Sequence, residues 1–228
     1  MRLSIKKIAF VGLFAFVFQA CQIKKGEREI SEGYMKYNIT YLEDESTNPI
    51  ISLMPSFLKM SFKNNSVVME VEGWMGVFRS SYIKNGDKSE SITLLKMMNK
   101  KYCYRNEGSN GFLGFPEYDS ISIIFDDETK KILDFTCKHA KVKMPDKDLS
   151  YDVYYTNEIK IEKPNEHTPY TQIDGVLMEF QIEINGIPMH LIASELVESA
   201  ISDEVFQAPA DYENVPREEL DKIFSSII

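Results

Sequence analysis

The stretch from Leu58 to Glu72, LKMSFKNNSVVMEVE, constrains the fold more than any other. Leu58, Met60 and Phe62 alternate with Lys59, Ser61 and Lys63. After Asn64-Asn65, Val67, Met69 and Val71 alternate with polar Glu70 and Glu72. Successive side chains of a strand point to opposite faces, so a period of two predicts strands with one apolar face and one wet face. Asparagine tolerates the left-handed backbone that a tight turn needs. The stretch therefore predicts an antiparallel hairpin.

Similar strand signals run along the rest of the chain. They cover GYMKYNITYLE (33–43), VFRSSYIK (77–84), SITLLKMM (91–98), KYCYR (101–105) and SISIIF (120–125). They continue through KILDFTCKHAKVKM (131–144), YDVYYTNEI (151–159), GVLMEFQIEI (175–184) and IPMHLIASELV (187–197). In residues 175–184, Val176, Met178, Phe180, Ile182 and Ile184 are read inward, against Glu179, Gln181 and Glu183. Turns are expected at Asn85-Gly86-Asp87, Asn99-Lys100, Asp126 to Thr129 and Asn185-Gly186. Helix signals are few: Pro49 to Leu58, interrupted by Pro55, one turn at 202–206, and 216–228 with Pro at its start. About ten strands with so little helix predict a mainly β (α+β) fold. A strongly curved antiparallel sheet or half-barrel would hide its edges.

The first 21 residues, MRLSIKKIAFVGLFAFVFQAC, have another pattern. Arg2, Lys6 and Lys7 precede an apolar core from Ile8 to Phe18, and small Ala20 precedes Cys21. That is the layout of a secretory signal over residues 1–20. The core is shorter than the roughly 20 apolar residues a spanning helix needs. Cys21 is the expected lipidation site and membrane anchor, because acyl chains contribute about 0.8 kcal/mol per buried CH₂. Residues 21–31 are then a lipidated polar tether, and residues 32–228 a single β domain. Without residues 1–20 the chain has 23 basic and 35 acidic residues, a net charge of −12. Such a surface repels phosphate backbones, so nucleic acid is not an expected partner. The expected state of the protein is a monomer.

Cys103 and Cys137 both fall on predicted strands. They can form a disulfide in an oxidising compartment if those strands are neighbours. Otherwise both are buried free thiols.

No catalytic motif is present. His139, His167 and His190 match no metal-ligand spacing and are read as surface or satisfied core groups. Asp126-Asp127-Glu128 lacks the EF-hand order and is read as a solvated hairpin turn. No metal and no cofactor is therefore expected. Two apolar loops, GWMGVF (73–78) and GFLGFPEY (111–118), place Trp74 and Phe112 where they could either rim a greasy cavity or close the core. Methionines spread over several strands would suit a face that accepts acyl chains, or an ordinary core.

The segments KKILDFTCKHA, YDVYYTNEI, TQIDGVLMEFQIEINGIPMHLIASELV and DEVFQAPADYENV carry a resemblance. Their order resembles a family of Bacteroidetes lipoproteins that is similar to the GLPGLI proteins and, more distantly, to the LolA/LolB lipoprotein carriers. The naming motif of the GLPGLI proteins is replaced here by Gln172 to Leu177. The resemblance implies a LolA-like half-barrel with short helices on its concave side, and no catalytic residues. It implies a non-enzymatic envelope lipoprotein that holds a lipid, acyl chain or lipidated protein. The expected lining is Met60, Phe62, Met69, Val71, Met178 and Phe180, with Trp74 and Phe112 at the mouth. Surface-exported lipoproteins of this group often carry acids after the cysteine. Gln22 to Lys25 carry none, so the periplasmic face of the outer membrane is the expected location. The alternative is a structural module whose concavity is filled by its own segments and which binds a protein partner.

Overall fold

A computed structural model describes residues 29–73, 76–86, 90–106, 121–145, 148–166, 168–184 and 186–226. Among these residues the protein is mainly β, with one α-helix. The predicted central hairpin forms β2 (Phe57–Lys63) and β3 (Ser66–Gly73), with Met60 opposite Met69. Asn64 and Asn65 take positive φ, the backbone that closes such a turn. On one side of it β1 (Glu32–Tyr41) pairs with β2. On the other, β4 (Phe78–Lys84), β5 (Ser91–Met97) and β6 (Lys100–Asn106) follow as a meander.

The second half of the chain is also a meander. It comprises β7 (Ser122–Ile132), β8 (Phe135–Met144), β9 (Leu149–Thr156), β10 (Val176–Ile184) and β11 (Ile187–Val197). β11 pairs with β1 and so joins the halves. β12 (Glu213–Asn214), too short to read from the sequence, adds to β6 in parallel. The described strands form one sheet in the order β12-β6-β5-β4-β3-β2-β1-β11-β10-β9-β8-β7, and its two ends do not meet. All its other pairings are antiparallel.

One expected turn is misplaced. Asp126 to Thr129 does not end a strand; β7 runs through it, with a register shift between Phe125 and Thr129. The hairpin turns instead at Leu133 and Asp134, where Leu133 has positive φ and Ile132 pairs with Phe135. The acids are a bulge in an edge strand, which explains how a turn-like composition sits inside a ladder.

The sheet curves. Strands lie about 4.8 Å apart, so β4 and β10, five steps apart in the sheet order, would be separated by about 24 Å if it were flat. Ser80 and Tyr82 of β4 nevertheless border the same cavity as Phe180 and Ile182 of β10. After β11 the chain crosses the outer face, where Phe206 packs on Val68, Ile83 and Leu94. It then adds β12 at the β6 edge and returns over the inner face as α1 (Arg217–Ser225). Pro216 immediately precedes α1, Glu218 and Glu219 lie in its first turn, and Leu220 and Phe224 pack on Phe78, Leu95 and Tyr102.

Gly33 marks a close crossing between β1 and β11. A Cβ there would lie 2.4 Å from the Val197 carbonyl oxygen, and φ is +154°. Gly33→Ala is expected to cost about 1–3 kcal/mol in a urea melt, because backbone atoms must give way. An unchanged midpoint would show that the crossing has slack.

Candidate apolar cavity

The inner face encloses a cavity of about 110 Å³. Leu58, Met60, Met69 and Val71 border it from β2 and β3. Tyr37 borders it from β1, and Val176, Leu177, Phe180, Ile182 and Ile184 from β10. These residues share a face because each strand alternates and the registers align Met60 with Met69, and Tyr37 with Leu58. Tyr37 and Phe180 meet edge to face, with ring centroids 5.6 Å apart. The Tyr37 hydroxyl donates to the Leu177 carbonyl at 2.8 Å, and burial pushes its pKa up.

A segment without regular structure, residues 161–166 and 168–175, lies against the cavity. Pro164, Asn165, Thr168 and Tyr170 border it. Tyr170 is buried and meets Phe180 edge to face at 6.1 Å. Its hydroxyl bonds the Tyr151 hydroxyl at 2.8 Å and donates to the Gln181 carbonyl. Burial pushes the Tyr151 hydroxyl up to about 12. Asn165 donates to the carbonyls of Ile173 and Gly175 at 2.7 and 2.9 Å. The segment also reaches the opposite arm. Lys84 of β4 bonds the Glu166 carboxylate at 2.6 Å and the Lys163 carbonyl at 3.3 Å. The Glu162 amide donates to Asn65 in the β2–β3 turn at 3.1 Å. Phe224 of α1 borders the cavity as well.

Of the expected lining residues, Met60, Met69, Val71 and Phe180 border the cavity. Phe62 and Met178 do not; both are fully buried in the packed core. Phe62 sits near the closed end of the β2–β3 hairpin, opposite Val67, where side chains fill the space. Met178 is the extra residue at a register shift between Leu177 and Glu179. That bulge breaks the strict alternation and puts Leu177 on the cavity. Trp74, Phe112 and Cys21 lie outside the described residues. Tyr37, Tyr82, Tyr170 and Phe224 were missed. Phe224 had a signal in the amphipathic spacing of the C-terminal helix, whereas Tyr170 lies in an aperiodic stretch.

The pairing weighed for Cys103 and Cys137 is not made: both are free and buried. They lie on β6 and β8, nine steps apart in the sheet order. Burial pushes the Cys137 thiol up to about 11, which keeps it protonated and inert at neutral pH.

No family model matches the chain, and no curated protein does. Among solved structures it is similar to PNGF-II, with 14% identity and a TM-score of 0.49. That match covers 86% of this chain and 34% of the other, so the chain spans about a third of that protein's length. Among the described residues, no helix is long and apolar enough to cross a membrane.

Proposed function

We propose that this is a non-enzymatic envelope lipoprotein, anchored through Cys21, that seats one end of a hydrophobic ligand in the cavity of its sheet. The ligand is an acyl chain, carried by a lipid or a lipidated protein. The observation that carries this reading is the composition of the wall, where aliphatic, methionine and aromatic side chains dominate. An apolar cavity of roughly 150 Å³ takes one benzene, and sites for drug-sized ligands run to about 300–1,000 Å³. The space of about 110 Å³ therefore suits a chain terminus and not a whole phospholipid. Half-buried Met69, Val71, Ile182 and Ile184 leave part of its apolar wall accessible. Kinship with the LolA/LolB carriers, and a periplasm-facing place on the outer membrane, belong to the same proposal. They rest on the sequence pattern and agree with an open, mostly antiparallel sheet carrying a helix on its inner face.

Native mass spectrometry of the protein purified gently from a cell envelope tests the reading. A co-purifying lipid, released on denaturation, is the expected result. Met69 offers a second test, because it is half-buried at the wall. Met69→Asp should weaken uptake of a fluorescent fatty acid at least about tenfold, since burying a methionine contributes about 1.5–3 kcal/mol. Wild-type uptake by a folded Met69→Asp protein removes that wall from the site.

A second reading has its own support. Tyr170, Ile173 and Leu220 fill much of the inner face and are almost wholly buried. On that reading the concavity is plugged and the protein acts as a structural module toward a protein partner. An empty protein that also refuses fatty acids and phospholipids favours it.

A further inference from the structure

The outer face of the sheet carries a second cluster, independent of the cavity. His139 of β8 is 3% exposed, and its ring lies tilted beside that of Tyr154 of β9 with centroids 5.0 Å apart. Its Nδ1 faces both carboxylate oxygens of Asp126, at 2.9 and 2.8 Å. Its Nε2 lies 3.2 Å from Oδ1 of Asp152. Glu128 completes the group: one ligand atom each from Asp126, Glu128 and His139 lie within 4.8 Å of one another. The Tyr154 hydroxyl donates to Oε1 of Glu128 at 3.1 Å and orients it. The β7 bulge makes this possible, because it releases residues 126–128 from the ladder and turns Asp126 toward β8.

Charge decides what the cluster needs. A neutral imidazole has one N–H and one lone pair. If Nε2–H serves Asp152, Nδ1 presents its lone pair to the Asp126 carboxylate at 2.8 Å. Nδ1 therefore meets Asp126 either as an N–H donor, in the other tautomer or the imidazolium, or as a lone pair that needs a metal cation between the two groups. One neighbouring ammonium group touches the cluster and another is engaged outside it. Lys141 bonds Asp152 at 3.3 Å, and Lys130 pairs with Glu179 and lies over the Tyr154 ring.

We propose that His139 Nδ1, Asp126 and Glu128 bind a divalent first-row transition cation, zinc foremost, with Asp152 fixing the imidazole tautomer. One nitrogen and two carboxylate oxygens suit such an ion. A carboxylate on the far nitrogen of a ligating histidine is the usual outer support of such sites. Donors about 2.0–2.1 Å from a tetrahedral ion are about 3.3 Å apart, so Nδ1 and Asp126 need to separate by about half an ångström and Glu128 to close in by up to about 1.5 Å. Asp126 and Glu128 are exposed, which leaves room for water as a fourth ligand. The ion would tie the bulged edge strand β7 to β8 and play a structural part. The residues lie thirteen apart in sequence (Asp126 to His139), which is why no ligand spacing shows in the chain.

Isothermal titration of chelator-treated protein with zinc chloride, together with the cobalt(II) absorption spectrum, tests this. One equivalent of zinc, a raised melting temperature and a tetrahedral cobalt spectrum are expected. Glu128→Gln and Asp126→Asn are surface changes that should spare the fold and abolish both signals. Asp152→Asn should weaken binding about 10–100-fold. Failure of the folded wild-type protein to bind zinc or cobalt overturns the proposal and assigns the Nδ1 position to a proton. Undiminished binding by Asp126→Asn or Glu128→Gln overturns it too.

Discussion

Tyr170→Ala is expected to cost about 3–5 kcal/mol of stability and, at the same time, to raise uptake of apolar ligands. The ring is almost wholly buried against Phe180 and the cavity wall, so its removal enlarges the space that it caps. It also strips a partner from the Tyr151 hydroxyl and from the Gln181 carbonyl. Tyr170→Phe keeps the ring but strips the same two partners, and should cost about 1–3 kcal/mol. Urea melts of both variants, read beside fatty-acid binding, separate plug from wall. If Tyr170→Ala melts within 1 kcal/mol of wild type, residues 161–166 and 168–175 are not part of the cooperative core. If it is destabilised yet takes up no more ligand, the concavity is closed by something other than this ring.

Asn165→Ala should be the next most costly change, at about 2–4 kcal/mol. Its side-chain amide is buried and serves two carbonyls, those of Ile173 and Gly175. Truncation leaves both without that donor, and each unsatisfied buried group costs about 1–3 kcal/mol. The neighbouring bonds depend on the same conformation. Thr168 donates to the Asn165 carbonyl at 2.7 Å, and the Tyr170 amide donates to the Thr168 hydroxyl at 3.2 Å. The double variant with Tyr170→Ala should therefore cost less than the sum of the singles. Full additivity would mean that Asn165 and Tyr170 act separately.

Both variants probe the segment that bridges the two arms of the sheet. Lys84 on β4 reaches Glu166 and the Lys163 carbonyl, while Tyr170 packs on β10 from the same segment. A ligand entering past this segment must loosen those contacts. Gain of uptake through loss of Tyr170 would make the segment a gate of the proposed binding site. Its absence would favour the plugged, structural reading.

Much of the sheet could be read from local pattern, because strand period and turn chemistry act over a few residues. The β2–β3 hairpin is the clearest case: alternation chose the faces and Asn64-Asn65 supplied the left-handed turn. The inward facing of Met60, Met69 and Val71, and of Phe180 on β10, followed from alternation, whereas their place on a cavity wall came from the implied half-barrel. Local pattern failed where a bulge inserts extra residues, one at Met178 and two at Asp126–Glu128. At Met178 alternation put the wrong side chain on the cavity, and at Asp126–Glu128 turn-like composition was a bulge. A bulge is set by the neighbouring strand, which local pattern does not contain.

Long-range pairing lay further out of reach. That β11 closes on β1, and so bends the first meander against the second, is a contact between residues some 160 apart. It leaves Cys103 and Cys137 on distant strands and brings Tyr170, Phe224 and Met69 around one cavity. It leaves β7 to pair with β8 alone, at the end of the sheet. Period and turn residues wrote the strands into the chain, since each is a matter of neighbours. The order of those strands, and the spaces enclosed between them, came from packing apolar faces that no short stretch can specify.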